Sequence, residues 1–186
     1  MSDMELRSLI SKPFELLQQL EQRARAVLAG QTGDLKSDAE WVGVAFRLGA
    51  ETFLLARDET REVMSVPSFM TRVPGARPWI RGLVNVRGQL LPVIDLRKFL
   101  GGSSTVLAKS SRILVINSKE IPAGLLVDEV LGFRRFTARE FTPQPPPTIL
   151  HCDHYLAGAF RRGGEVAPVF GLTELLESHE FLTGAA

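Results

Sequence analysis

Two hydrophobic patterns divide the chain near residue 40. In residues 13–29 the apolar positions recur at steps of three and four residues, namely at Phe14, Leu17, Leu20, Ala24 and Val27. This spacing predicts an amphipathic helix, and the polar residues 30–40 that follow predict a linker. The apolar stripe of such a helix packs either on its own domain or on a partner, and both possibilities stay open.

From Trp41 onward, short apolar runs alternate with polar or small residues, and glycine, proline, asparagine and aspartate separate them. This pattern predicts β-strands. The expected strands are residues 42–48, 52–56, 61–66, 83–86, 90–94, 112–117, 123–127, 130–136, 156–161 and 166–170. Short helices are expected at residues 96–100 and 173–182. Many short strands joined by tight turns indicate a small β-barrel or a sandwich.

An internal repeat runs through this β region. Identical residues recur 76 positions apart at Gly82 and Gly158, Gly88 and Gly164, Pro92 and Pro168, Val93 and Val169, Leu96 and Leu172, and Leu100 and Leu176. The repeat predicts two similar β subdomains with a groove between them. Gly88 and Gly164 suit tight hairpins, because glycine accepts a positive φ. Pro92 and Pro168 are expected at an edge or a bulge of a sheet.

The composition fits one domain with an extension. The 186 residues carry 22 Lys and Arg against 21 Asp and Glu, which gives a net charge of +1. This balance disfavours a strongly basic nucleic-acid binder. The single cysteine excludes an intrachain disulfide. We expect a leader helix and linker in residues 1–40, a domain of two β subdomains in residues 41–182 and a tail in residues 183–186.

The sequence also bears on the compartment. No apolar stretch approaches the ~20 residues that cross a bilayer as a helix. The first residues contain acids and lack the apolar core of a signal peptide. We therefore expect a cytoplasmic protein that does not insert directly into a membrane.

Residues 151–154 carry the side chains with the clearest chemical potential. His151 and His154 are three positions apart, and Cys152 lies between them. These residue types suit a metal site or a thiolate nucleophile. The segment lies between a proline run and a predicted strand, however, and no third ligand is apparent, so an ordinary loop is favoured. Glycine-rich phosphate motifs are missing as well. We expect no catalytic residue, no cofactor and no metal.

Arginine doublets beside aromatic residues raise a second function class. They occur in the segments Phe133-Arg134-Arg135-Phe136 and Phe160-Arg161-Arg162. Bases interleaved with aromatics suit nucleic-acid binding by a small barrel, although the same pattern is common on solvated strand faces. A small-barrel nucleic-acid-binding protein is therefore the alternative function.

The predicted hairpin around Gly88 contains a candidate interaction residue. Asn85 and Arg87 point to the same face of their strand. In one interpretation Asn85 satisfies the turn backbone, and Arg87 pairs with an acid such as Asp95 or Glu62. In the other, Arg87 is exposed and binds a partner with its planar, five-donor guanidinium. The pattern alone favours neither.

The motif around this hairpin resembles the signature of the CheW-like domain family. It reads Ile80-x-Gly82-x-x-Asn85-x-Arg87-Gly88-x-x-x-Pro92-Val93-x-Asp95-Leu96, and residues 112–116 and 124–130 are similar to the second half of the family pattern. The resemblance covers residues 41–182. It implies a mainly β fold, in which two SH3-like five-stranded β-barrel subdomains with short helices flank a hydrophobic groove, in addition to the N-terminal amphipathic helix.

The resemblance also implies a function. CheW-like proteins are non-catalytic adaptors that join the cytoplasmic tip of a methyl-accepting chemoreceptor to the regulatory domain of a CheA-type histidine kinase, in membrane-associated arrays. By motif, Asn85, Arg87 and Gly88 belong to the segment linked to receptor and kinase coupling. Glu62 and Val63 match the strand on the receptor side. The leader helix, which begins at Pro13, resembles that of family members serving type IV pilus twitching motility.

Overall fold

The computed structural model describes residues 40–118 and 120–184, which lie in one compact unit. The strands in this part of the chain are β1 Glu40–Leu48, β2 Glu51–Ala56, β3 Thr60–Ser65, β4 Ile80–Val86, β5 Gln89–Asp95, β6 Arg112–Ile116, β7 Gly124–Val127, β8 Glu129–Thr137, β9 Phe141–Thr142, β10 Leu156–Arg162 and β11 Glu165–Phe170. The ten predicted strands are confirmed, and β9 is additional. The predicted leader helix and its linker lie outside the described residues.

The helices are short. They comprise α1 Leu96–Phe99, α2 Leu172–Leu176 and α3 His179–Gly184, with 3-10 turns at Ala138–Glu140 and Asp153–Tyr155. The prediction of one helix over residues 173–182 was wrong, because Ser178 divides it. The Ser178 hydroxyl donates to the Leu175 carbonyl at 2.7 Å and accepts from the Phe181 amide at 3.3 Å. Such a side chain ends one helix and caps the next.

The strands form two sheets. The first has the order β8-β1-β2-β11-β10-β9, and the second has the order β3-β6-β7-β5-β4. The expectation of two five-stranded barrels is corrected in two respects. The first sheet has six strands, because β9 pairs with Ala159 and Phe160 of β10. Within the described residues, backbone pairing closes neither sheet, since the outer strands of each are not hydrogen-bonded to each other.

The repeat predicted from the sequence is present in the strand pairing. Strands β8-β1-β2-β11-β10 correspond in order to β3-β6-β7-β5-β4. Each half contains the same bulge, immediately before Gly82 in β4 and immediately before Gly158 in β10. These glycines have φ of 146° and 149°, and a Cβ would lie 2.5 Å from the Thr71 carbonyl oxygen and 2.6 Å from that of Thr142. Both positions therefore require glycine.

The expectation that Pro92 and Pro168 mark sheet edges was wrong, because both lie on interior strands. Parallel pairing of β5 with β7 starts at Val93, and parallel pairing of β11 with β2 starts at Val169. Each proline thus lies one residue before the position at which the parallel pairing of its strand begins. The missing N–H therefore interrupts neither parallel ladder.

The core has three parts. The central cluster lies between the two sheets and takes Phe46, Phe53 and Phe170 from the first and Leu114 and Leu125 from the second. A smaller inner cluster covers the other face of each sheet. That of the second sheet comprises Val84, Val86, Leu91, Val93, Ile113, Val115 and Leu126, and that of the first comprises Ala45, Leu54, Phe136, Phe160 and Val169. Each sheet therefore carries apolar residues on both faces, as curled small-barrel sheets do.

Candidate partner-binding surface

The β4–β5 hairpin is closed by two residues in the left-handed region, Arg87 with φ of 53° and Gly88 with φ of 87°. The Asn85 Oδ1 accepts a hydrogen bond from the Gly88 amide at 2.8 Å and holds the turn. In the equivalent β10–β11 hairpin both turn positions are glycine, Gly163 and Gly164, with φ of 57° and 86°. A side chain at a left-handed position costs about 1 kcal/mol. Arg87 is therefore held where a glycine would be less strained.

Arg87 joins the two outer strands of the second sheet. Its Nη2 donates to the Glu62 Oε2 on β3 at 2.7 Å, although the Arg87 side chain remains 80% exposed. Beside this pair, Arg61 Nη1 donates to Gln89 Oε1 at 3.5 Å. Side chains thus connect β3 to the β4–β5 hairpin, which the backbone does not pair with β3. Ion pairs this exposed contribute little stability, so the main effect is to fix where the guanidinium lies.

Among the described residues, only one of the two carboxylate oxygens of Glu62 accepts a hydrogen bond. Within the described part of the chain its buried Oε1 accepts no hydrogen bond, and the closest cation is Arg61 Nη2 at 3.7 Å. Asp95, the other acid considered as a partner of Arg87, is buried. It accepts instead from the Lys98 amide and from the amide and hydroxyl of Thr105. Glu62 is therefore the acid that positions Arg87.

Val63 points to the opposite face of β3 from Glu62 and lies 40% exposed. It lines a groove of about 370 Å³ together with Val44 of the first sheet, Asn117 and Phe133. A groove is present between the two sheets, but Arg57, Asp58, Arg61 and Glu62 also line it, so it is more polar than the hydrophobic groove that the resemblance implies. The structure therefore brings Asn85, Arg87, Gly88 and Glu62 together at the hairpin, and Glu62 and Val63 both line the groove.

Sequence reasoning missed Phe133 as a groove residue. Ala45 pairs with Gly132 and Phe46 with Val130, so Leu131 is the additional residue of a bulge in β8. Phe133 follows this bulge and is 63% exposed. The available signal was Gly132, with φ of 101°, because a lone glycine inside a strand pattern often marks a bulge.

The face of the first sheet that carries its inner cluster is open to solvent at one end. A cavity of about 460 Å³ lies above Ala45, Leu54 and Phe160, with Arg134 and Arg162 at its rim. The second sheet differs, because large residues fill the corresponding side. They are Met64, Val66 and Met70, which pack on its inner cluster.

Arg162 contacts several groups at this rim. It donates to the Glu140 carboxylate at 2.8 Å and to the Arg135 carbonyl at 2.7 Å, and it lies over the Phe136 ring at 4.7 Å. The hydrogen bond from Arg162 lowers the pKa of Glu140 to about 2. Arg135 pairs with Glu40 at 3.2 Å. One arginine of each doublet is thus engaged within the chain, which weakens the nucleic-acid alternative.

The 151–154 segment forms a loop and a 3-10 turn. The Cys152 amide donates to the Thr148 hydroxyl at 3.1 Å, and the thiol is buried. Burial raises the pKa of Cys152, which disfavours the thiolate. His154 packs on the Tyr155 ring. Across residues 40–118 and 120–184, no group of three or more histidine, cysteine, aspartate or glutamate side chains is arranged to hold a metal ion.

Among the described residues, no helix is long and apolar enough to cross a membrane.

Three surface features are candidates for binding a partner: the strained hairpin with its ion pair, the groove between the sheets and the open end of the first sheet. A family model for the CheW-like domain matches residues 42–180. The chain belongs to the CheW-like domain family. This CheW-like protein is therefore a non-catalytic scaffold of chemosensory signal transduction.

Individual relatives agree with the family assignment. Protein PilI of Pseudomonas aeruginosa is 37% identical over 153 residues, covering 82% of this chain and 85% of that protein. Chemotaxis protein CheW of Klebsiella aerogenes is 26% identical over 156 residues, covering 82% of this chain and 93% of its own length. The crystal structure of the scaffolding protein TtCheW from Thermoanaerobacter tengcongensis is similar with a TM-score of 0.66 at 28% identity, covering 76% of this chain and 96% of that one.

Membership of the CheW-like family implies binding to a CheA-type kinase and to chemoreceptors. The hairpin motif that carried the resemblance is the segment in which the ion pair of Arg87 and Glu62 lies. A role in coupling is therefore compatible with the geometry, because an exposed, fixed guanidinium is suited to bind a partner's carboxylate or carbonyl.

Proposed function

We propose that this CheW-like protein couples a methyl-accepting chemoreceptor to a CheA-type histidine kinase that controls type IV pilus twitching motility. The observation that carries the coupling role is the exposed Arg87, held in a left-handed turn by Glu62 and Asn85. Strain of this kind persists where the side chain has a function that glycine cannot supply. The pilus assignment is supported by the 37% identity to protein PilI.

The proposed coupling residues are Asn85, Arg87, Gly88, Glu62 and Val63. They lie on two adjoining surfaces, since the hairpin presents Arg87 and the groove contains Val63. Two surfaces on one domain suit a scaffold that holds receptor and kinase together. Coupling then requires that the assembled contacts favour one kinase state over another, and a difference of about 1–3 kcal/mol changes activity severalfold.

The open end of the first sheet supports a third element of the proposal. Its apolar floor and arginine rim are suited to the apolar edge of another small β domain, such as the regulatory domain of the kinase. We interpret both sheets as open forms of the SH3-like barrel, with residues 41–182 as the domain that contains them. In this proposal the protein acts in the cytoplasm and is recruited to receptor arrays at the membrane.

The experiment compares Arg87→Ala with Arg161→Ala as a matched surface control. Each full-length protein is titrated with the kinase regulatory domain and with the receptor cytoplasmic fragment from the same organism. Arg87→Ala is expected to keep its circular dichroism spectrum and to bind one partner at least ~10-fold more weakly, because a central arginine contact costs about 2 kcal/mol when removed. Arg161→Ala is expected to bind like the wild type.

Two results would contradict the proposal. Unchanged binding of Arg87→Ala to both partners would remove the hairpin from the coupling site. Failure of the wild-type protein to bind either partner would reject the coupling function itself.

A further inference from the structure

Within residues 40–118 and 120–184, the chain passes between the two sheets at two points. The first crossing, residues 57–59, joins β2 of the first sheet to β3 of the second. The second crossing is the single residue Asp128, which joins β7 of the second sheet to β8 of the first. The contacts that hold these two crossings therefore bear on how the sheets are oriented.

Asp128 is bound from both sheets. On the side of the first sheet, its amide donates to the Arg47 carbonyl at 3.1 Å, and its Oδ2 accepts from the Gly49 amide at 2.6 Å. On the side of the second sheet, its carbonyl accepts from the Ser110 hydroxyl at 3.2 Å, and Arg97 Nη1 lies 3.9 Å from the same Oδ2. One residue thus connects the β1–β2 turn with α1 and with the segment before β6.

The Arg97 guanidinium lies between the two sides of this connection. A Cβ at Gly49 would lie 3.7 Å from its Cζ and Nε, so the guanidinium also lies against the β1–β2 turn. At 3.9 Å its contact with Asp128 is too long for a hydrogen bond and acts through charge. Both side chains are mostly buried, so solvent and salt screen this attraction less than that of a surface ion pair.

The first crossing is held in another way. Asn117, which follows β6, donates its amide to the Glu59 carbonyl and its Nδ2 to the Asp58 carbonyl, both at 2.8 Å. This crossing follows the end of β2, whereas Gly49 precedes its start. A strand of six residues is about 20 Å long, so the two crossings hold the sheets at points about 20 Å apart.

The central cluster between the sheets acts differently from the crossings. Burial of apolar surface is not directional, whereas a hydrogen bond weakens steeply as its angle changes. The central cluster therefore keeps the sheets together, and the contacts at the two crossings fix the angle between them.

The two sheets contain different parts of the proposed coupling site. The five proposed coupling residues lie on β3 or on the β4–β5 hairpin of the second sheet, whereas the residues around the open end all belong to the first. The angle between the sheets therefore sets the angle between the partners bound to them. A rotation of about 3° about one crossing displaces a point ~20 Å away by about 1 Å. Shifts of about 1–2 Å accompany switching at protein interfaces.

We propose that Asp128 is a positioning residue for coupling. Together with Arg97 it fixes the angle between the sheets, and so the orientation of a receptor bound to the second sheet relative to a kinase bound to the first. Neither residue contacts a partner. The inference rests on the proposed function, and it adds the connection through which the two binding surfaces act on each other.

The first test compares Asp128→Asn with Asp153→Asn. The Asp128→Asn variant keeps an oxygen acceptor for the Gly49 amide and loses the charge that faces Arg97. Asp153 is a matched control, because its carboxylate accepts from the Thr148 amide and hydroxyl within one loop of the first sheet. Each full-length protein is titrated with the receptor cytoplasmic fragment and with the kinase regulatory domain. Autophosphorylation of the CheA-type kinase is then measured with and without the receptor fragment.

Binding and coupling are expected to separate. Asp128→Asn is expected to bind each partner alone like the wild type and to reduce the receptor-dependent change in kinase activity about threefold. Arg97→Gln removes the same contact from the other side, so it is expected to have the same effect, and the double variant is expected to add nothing further. Asp153→Asn is expected to couple like the wild type.

Several results would overturn the inference while the proposed function stands. They are unchanged coupling in Asp128→Asn and Arg97→Gln, or weaker binding of either variant to one partner alone. If circular dichroism shows that Asp128→Asn does not fold, Arg97→Gln decides. A wild-type protein that binds neither partner would instead reject the proposed function.

The second test measures the angle between the sheets without any partner. Nitroxide labels at Ser65→Cys on β3 and Arg161→Cys on β10 lie on different sheets, and both positions are exposed. The one native cysteine, Cys152, is buried, so the labels react at the two introduced sites. Asp128→Asn is expected to broaden the distribution of distances between the labels, and Asp153→Asn is expected to leave it unchanged. An unchanged distribution in Asp128→Asn would overturn the inference whatever the coupling assay shows.

Discussion

At the scale of single residues, Arg87 shows a conflict between local backbone preference and function. The two hairpins of the repeat have the same turn, but one has Gly163 where the other has Arg87. A Cβ at Gly163 would meet no atom within 4 Å, so conformation alone separates the two positions. The ion pair with Glu62 is too exposed to repay a left-handed side chain. Binding to a partner gives a physical reason for keeping arginine there.

This conflict predicts how substitutions at Arg87 rank in stability. Arg87→Gly and Arg87→Ala both remove the ion pair, but only glycine relieves the positive φ. Arg87→Gly is therefore expected to be about 1 kcal/mol more stable than Arg87→Ala, measured as the free energy of unfolding in urea. The converse control, Gly163→Ala, is expected to lose a similar amount. Equal stability of the two Arg87 variants would show that the turn is not strained.

At the scale of elements, the β2–β3 turn is where the chain passes from the first sheet to the second. The Glu59 amide donates to the Ala56 carbonyl, and the Glu59 carbonyl accepts from the Asn117 amide at 2.8 Å. Burial, followed by the charges of Asp58 and Glu174, raises the pKa of Glu59 from 4.5 to about 7. A separate hydrogen bond between the Glu59 carboxyl and the Ala56 backbone lowers the pKa and only partly offsets these effects.

The raised pKa predicts a pH-dependent stability. Between pH 4.5 and 7 the folded state binds more protons at Glu59 than the unfolded state does, so the free energy of unfolding falls as pH rises. The Glu59→Gln variant has no titrating carboxyl at this position, so it does not lose this part of its free energy of unfolding as pH rises. Because Glu59 is partly solvated, the variant is expected to gain only about 1 kcal/mol at pH 8 and almost nothing at pH 4. Melting temperatures of both proteins across this range provide the measurement, and parallel curves would refute the assignment.

The elements differ in how far the sequence predicts them. The strands alternate apolar and polar residues, and turn residues bound them, so ten were predictable. Strand β9 has two residues, Phe141 and Thr142, which are too few to show a period. The division between α2 and α3 depends on Ser178 bonding to both sides, which hydrophobic periodicity does not report. The interior location of Pro92 depends on where its parallel partner starts, which is a property of tertiary structure.

At the scale of the whole molecule, the two sheets share one central cluster, and the chain enters the first sheet twice. The two tryptophans report on different parts of this arrangement. Trp41 packs on Phe136 and Phe160 of the first sheet, whereas Trp79 packs on Phe99 and Phe181.

A single cooperative transition follows from the shared cluster. The variants Trp41→Phe and Trp79→Phe each leave one fluorescent tryptophan, and their urea curves describe the two regions separately. For each variant, the unfolding curve followed by tryptophan fluorescence is compared with the curve of the same variant followed by circular dichroism. The two curves of each variant are expected to coincide. Separate midpoints by the two signals of one variant would mean that the region around the remaining tryptophan unfolds apart from the rest of the domain.

The candidate site was predictable in part at this scale. The motif identified Asn85 and Arg87, and a match to a separate strand identified Glu62; the structure places the three together through the ion pair between Arg87 and Glu62. The sequence left open which acid pairs with Arg87, since Asp95 lies within the motif and Glu62 lies on a separate strand. Burial of Asp95 under Thr105 decides it. Phe133 was missed because its position in the groove depends on a bulge.

The interleaved path of the chain also sets an order of events during synthesis. Strands β1 and β2 leave the ribosome before the other strands, but their remaining partners, β8 and β11, begin only at Glu129 and Glu165. At ~5–20 residues per second the first hairpin waits several seconds for them. The second sheet, which is continuous from Thr60 to Val127, is complete earlier. The sheet that starts first is thus finished last, and its apolar strands are the ones a nascent chain must keep from aggregating.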